Sequence, residues 1–248
     1  MSERDEWHEL GALTPARLAL GRAGNGLPTK RVLEFQLAHA RARDAVIAPF
    51  EARRIADALG TSAALILTTL ARDRASYLLN PDAGRRLDAS SRAKLQRGCF
   101  DAVLVIADGL SSTAIHRHGV ALARHILGAN SDLNWGPVAV VSGGRVAVGD
   151  EIAQALGAEL SVVLIGERPG LTAADSVGIY ITFAPSPGVT TDAERNCISN
   201  VRPGGLELQD AAHRLGWLLS EARRLRLTGV RLKEDAPDLR SIADTDKL

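Results

Sequence analysis

An α/β fold, with a doubly wound and mostly parallel sheet behind an N-terminal helical extension, is what this sequence predicts. Three observations carry that reading. Short apolar runs such as Ala102-Val103-Leu104-Val105-Ile106 are continuous rather than alternating, as expected of strands covered on both faces. Residues 111–127 and 150–156, lying between such runs, read as crossover helices. Glycine and polar residues follow several of the runs, where an open sheet of this class places its ligands.

Taken in chain order, residues 10–27 are rich in small residues, and Gly21, Gly24 and Gly26 make them a loop ahead of Leu27-Pro28-Thr29. Over 28–47 the apolar positions Val32, Leu33, Leu37, Ala40 and Ala45 recur near helical spacing, with Pro28 suited to a first turn. A second helix is predicted over 50–59, stopped by Gly60. Strands are expected at 64–67, 102–106, 138–141, 160–165 and 178–183. The best-marked helix spans 208–225, where Leu208, Ala211, Ala212, Leu215, Leu219, Ala222 and Leu225 share a face. Glu207 and Asp210 stand near its start, Arg223, Arg224 and Arg226 near its end, and Gly229 just beyond. Its stripe fits either the core or a partner, and the core is preferred. Beyond Val230 the chain is polar and expected to fray.

The 248 residues are 46% hydrophobic and 24% charged, enough to bury a real core. Basic and acidic side chains nearly cancel, leaving a formal net charge of +1, so no global field draws a nucleic acid or an anionic membrane. The start, MSERDEWHELGAL, has no apolar stretch of signal-peptide length, and no later run approaches the roughly 20 apolar residues of a membrane span. A cytoplasmic location is expected. Cys99 and Cys197 lie far apart without a CxxC partner or a nearby ligand histidine, which indicates neither a disulfide framework nor a metal site.

Three loops at the expected sheet edge could hold a ligand. They are Asp108-Gly109-Leu110-Ser111-Ser112, Ser142-Gly143-Gly144-Arg145-Val146 and Gly166-Glu167-Arg168-Pro169-Gly170, each with glycine for close approach and polar groups for orientation. Plain turns are the alternative reading of any one of them. A GxGxxG fingerprint after the first strand is absent, as are a Walker A sequence and a GxSxG elbow. His116, His118 and His125 fall on one predicted helix, where solvated or partly buried roles outweigh ligation. Cys197, read as a loop residue, would by type alone be a small buried hydrophobe. Its flanks Arg195, Asn196, Ser199 and Asn200 crowd donors around it, which suits an amide-rich ligand better than an activated thiolate.

The run TPARLALGRAGNGLPTKRVLEFQLAHARARDAV at 14–46, with VIADGLSS at 105–112, GRVAVGDEI at 144–152 and ERNCISNVRPGGL at 194–206, resembles the small (light) subunit of ethanolamine ammonia-lyase, over 13–233. The resemblance implies that adenosylcobalamin is held between this chain and a large subunit whose TIM-type barrel carries the substrate site. It implies radical deamination of ethanolamine to acetaldehyde and ammonia, with no catalytic residue on this chain. By motif, the cobalamin contacts would be Val146, Glu167 and Cys197. A DxHxxG motif is missing, the nearest string being His116-Arg117-His118-Gly119 with Ala114 in place of the aspartate, so base-on cobalamin is expected.

On this reading, 1–60 is a helical extension and partner-contact region, and 61–233 a Rossmann-like or flavodoxin-like cobalamin-binding domain. Residues 234–248 form a polar tail. Family members often carry a longer N-terminal extension linked to bacterial microcompartments; the family-like core here starts by about Leu13, which counts against encapsulation. The alternatives are a self-sufficient small-molecule binder and a purely structural scaffold.

Overall fold

The computed structural model describes residues 13, 14, 16–18, 20–60 and 64–235. Residues 1–12, read above for an export signal, and 236–248 of the polar tail lie outside them.

Pro28 precedes α1 (Thr29–Ile47), which ends at extended Ala48 because Pro49 disfavours helical backbone in the residue before it. Ala45 is the helix's buried residue. Helix α2 (Ala52–Leu59) buries Ala52, Ile55, Ala56 and Leu59 and stops at Gly60, in the left-handed conformation that glycine adopts without strain. Two short helices, α3 (Arg74–Leu79) and α4 (Ala89–Arg92), come next.

The strands are β1 (Leu65–Thr68), β2 (Phe100–Ala107), β3 (Ala139–Ser142), β4 (Ala158–Gly166), β5 (Val177–Phe183) and β6 (Asn196–Val201), in one sheet ordered β1-β3-β2-β4-β5-β6. Strands β1, β3, β2 and β4 are mutually parallel, whereas β5 and β6 join antiparallel. The α/β class holds and the sheet is mixed rather than parallel towards that edge. The cause is the connections: a parallel return needs a crossover, and the stretch from Gly166 to Val177 contains no helix. A second correction concerns Cys197, which stands on β6 and not in a loop.

Alternate residues of β2 feed opposite faces, as the pleat requires. Leu104 and Ile106 pack with Val140, Leu164, Ile179 and Ile198 under α2, α6 (Val120–Ala129) and α8 (Leu208–Leu225). Val103 and Val105 pack with Val141 and Val163 under α7 (Val148–Leu156). The stripe on α8 is core: Ala211, Ala212, Leu215, Leu218, Leu219 and Ala222 are buried. Its C-cap is left-handed Arg226 rather than a glycine. The fraying expected after Val230 is not seen at once, because Leu232 is buried and its carbonyl accepts from Asn196 Nδ2 at 2.7 Å. The helix expected over 111–127 is present without a gap from Ser112 to Ala129, as α5 (Ser112–Ala114), a π turn at Ile115–Gly119, and α6.

Candidate functional site

The three glycine loops converge at the C-terminal edge of the parallel strands and interlock there. Asp108, after β2, accepts from the Gly144 N–H of the next loop at 3.0 Å, and Leu110 N–H donates to Gly166 O at 2.8 Å. Arg74 braces the cluster from outside the sheet: its Nη1 donates to Gly109 O at 2.7 Å and stands 3.7 Å from the Asp108 carboxylate. Tyr77 lies between the Arg74 and Arg145 guanidinium groups, 4.8 and 4.3 Å from its ring centroid. Asp108 is thus spent on holding loops together, so it is a brace for the site and not a free ligand group.

Burial pushes the Asp108 carboxyl up to about 6, against the opposing pull of Arg74 and the backbone N–H groups of Gly144, Gly143 and Gly109. A carboxyl raised above its unfolded value contributes stability below that value and loses it as pH rises through the folded one. Asp108→Asn should therefore gain on the parent by about 2–3 kcal/mol between about pH 4 and pH 7. Urea unfolding at both pH values measures it; identical pH dependence in the two proteins would refute it.

On the α7 side of β5 and β6, Tyr180 is half-buried while Cys197 and Ser199 are exposed, so α7 leaves this part of the face open. Tyr180 pairs with Cys197 across the strands. Opposite Gly178 the ladder slips between Val177 and Ile179, and Asn200 takes a positive φ of 58°. That bulge turns the Asn200 N–H to the Glu167 carboxylate, at 3.1 and 3.3 Å from its two oxygens. Gly178 leaves room for this meeting: a Cβ there would lie 3.1 Å from both Glu167 Oε1 and the Tyr180 ring, so one of them would have to shift.

Glu167, Tyr180 and Cys197 form one cluster as a result. Although Cys197 is exposed by surface area, the protein atoms around its thiol push it up, and Glu167 adds to that against the Tyr180 hydroxyl. Burial likewise raises the Tyr180 phenol, reinforced by Cys197 and Glu167. Both groups are therefore neutral near pH 7, and Cys197 is no activated nucleophile. Val146 packs, half-buried, on the same apolar cluster that Tyr180 edges. All three residues singled out by sequence thus lie on one side of the sheet. Tyr180 was missed; its signal was the alternation of Ile179 and Ile181 inward, which leaves the tyrosine facing the other way.

Two flanking donors do not serve a ligand. Arg195 turns into a bidentate pair with Asp150, both contacts 2.7 Å, and donates to Thr182 Oγ1 at 2.8 Å. Asn196 is spent on Gly229 N–H at 2.7 Å and Leu232 O. Two of the three histidines over 112–129 are likewise engaged: His116 Nε2 accepts from Glu51 N–H at 3.1 Å, and His118 lies 3.4 Å from Asp175, whereas His125 is exposed. Among the described residues no group of three or more His, Cys, Asp and Glu side chains could hold a metal ion. No described helix is long and apolar enough to cross a membrane.

Fold and site together define an α/β domain whose mixed sheet opens one face beside interlocked strand-end loops, and among the described residues that face carries no nucleophile–base pair. Residues 4–233 match the model of the family described as ethanolamine ammonia-lyase light chain (EutC), and the chain belongs to that family. It is 49% identical over 243 residues to the ethanolamine ammonia-lyase small subunit of Xanthomonas campestris pv. campestris (strain B100), covering 94% of this chain and 89% of that one. It is 50% identical to the ethanolamine ammonia-lyase small subunit of Azotobacter vinelandii, covering 93% of this chain and 88% of that one. Against the small subunit of Ralstonia nicotianae the identity is again 50%, covering 94% and 90%.

Proposed function

We propose that this chain pairs with a large subunit and forms one wall of an adenosylcobalamin site, in a complex that deaminates ethanolamine to acetaldehyde and ammonia. The observation that carries the reading is the grouping of Glu167, Tyr180 and Cys197 on an open sheet face, with Val146 on the same side. The relatives' name, small subunit, supports a partner. The mixed sheet is then a variant of the Rossmann-like cobalamin-binding domain.

The residues suit the group. A corrin is an apolar macrocycle edged by neutral amides, and this face offers an apolar side chain, neutral hydroxyl and thiol groups, and a carboxylate. Among described donors Glu167 takes only the Asn200 N–H, which leaves acceptor capacity for ligand amides. When bound, adenosylcobalamin supplies radical chemistry through its cobalt–carbon bond, while protein groups bind and orient it. Glu167 accepts amide hydrogen bonds, Val146 packs against the ring, and Cys197 and Tyr180 close the rim. His116 and His118 lie on the turn at Ile115–Gly119, which packs on the other face of the sheet from Val146 and Tyr180, and this supports base-on binding.

The experiment is titration of cyanocobalamin, followed by absorbance, into the two-subunit complex carrying Glu167→Ala. A lost charge-assisted hydrogen bond contributes about 1.5–3 kcal/mol, so affinity should fall roughly tenfold or more. Unchanged affinity in an intact complex would count against the assignment.

A further inference from the structure

The pair Asp150–Arg195 joins two parts of the open face that are 45 residues apart in the chain. Asp150 stands in the first turn of α7, four residues beyond Val146, and Arg195 lies just before β6, two residues from Cys197. In extended chain, residues two apart point the same way, so Arg195 and Cys197 leave β6 on one side. Thr182, two beyond Tyr180 on β5, accepts the third hydrogen bond of Arg195. The layer Thr182–Arg195–Asp150 therefore sits next to the layer Tyr180–Cys197. Only 3% of the Arg195 side chain and 1% of the Asp150 side chain are exposed.

Stability alone does not call for such a pair. Removing water from both ions offsets most of their attraction, and apolar side chains of similar volume hold two elements together as well or better. What they lack is direction. A planar guanidinium gripping both carboxylate oxygens admits one orientation of the two backbones. α7 is anchored elsewhere by Gly149, so close to β4 that a Cβ would stand 2.5 Å from Ser161 Oγ and from Val163 Cγ2, and by the Glu151 carboxylate, which accepts from Leu87 N–H at 2.8 Å. With those contacts holding α7 on β4 and on the Leu87 segment, the Asp150–Arg195 pair ties its first turn to the start of β6.

We propose that Asp150 and Arg195 are positioning residues that fix the spacing between the Val146 loop and the Cys197 strand, and so the width of the cofactor surface. The proposal rests on the cofactor reading above. Its test uses the complex with the large subunit and three variants of this chain: the double substitution Asp150→Leu with Arg195→Met, Arg195→Lys, and Glu167→Ala. Thermal unfolding and cyanocobalamin affinity are measured on each.

The double substitution should unfold within a few degrees of the parent and bind cyanocobalamin about tenfold more weakly, the lower end of what supporting residues contribute at metal sites. Arg195→Lys keeps the charge but cannot reach both carboxylate oxygens and Thr182, and should weaken binding several-fold. If the double substitution does not assemble, Arg195→Lys decides. Parent-like affinity in whichever of the two folds, alongside weakened binding in Glu167→Ala, overturns the positioning role and leaves the cofactor reading standing. Parent-like affinity in Glu167→Ala as well brings down both.

Discussion

Arg195→Ala is expected to lower the unfolding free energy of this chain by about 3–5 kcal/mol, the cost of leaving a buried charge without its partner. The truncation strands the Asp150 carboxylate where 1% of its side chain reaches solvent, and takes the donor from the Thr182 hydroxyl. Exposed pairs behave differently. Arg85 and Asp82 meet at 3.1 Å but are 56% and 79% exposed, so Arg85→Ala should cost at most about 0.5 kcal/mol. Denaturant midpoints of the two variants, at equal slope, separate the cases. A loss below about 1 kcal/mol for Arg195→Ala would show that the pair is not the desolvated clamp its burial implies.

Gly109→Ala should also be strongly destabilising, because it disturbs the point where the loops after β2 and β4 meet. Gly109 has φ +57°, and a Cβ there would stand 2.3 Å from Gly166 O and 2.4 Å from Ile165 Cγ1. Left-handed backbone costs a non-glycine residue about 1–2 kcal/mol, and forcing atoms into packed surroundings adds about 1–3 kcal/mol. The expected loss is about 2–5 kcal/mol. Gly60→Ala isolates the first part: its φ is +68° and nothing among the described residues lies within 4 Å of the added atom. Equal midpoints for the two variants would mean that the loop contact yields, and that the strand-end edge is softer than its geometry suggests.

Much of this molecule is legible in the sequence, for reasons that differ by element. Strands β1 to β5 show as apolar runs because helices cover both sheet faces over most of their length, and α8 shows because one stripe faces the core. Strand β6 does not: NCISNV inserts Ile198 and Val201 into the core and otherwise presents polar residues at a sheet edge. The direction of β5 is equally hidden, since periodicity reports burial and not orientation. At the site, Glu167 and Cys197 stand out through their neighbours, yet the neighbours have other tasks. Arg195 and Asn196 look like ligand donors in the string ERNCISN, but their partners Asp150 and Gly229 are brought in only by tertiary structure. Tyr180 escapes notice because an aromatic inside an apolar run reads as core until the strand's alternation is assigned.

The central claim, that this chain completes a cobalamin surface it shares with a large subunit, is tested most directly by cyanocobalamin titration of the large subunit alone, this chain alone and the complex. Corrin absorbance reports binding in each. Tight binding in the complex, with far weaker binding to either chain, is the expected result. Binding by the large subunit alone as strong as by the complex would contradict it.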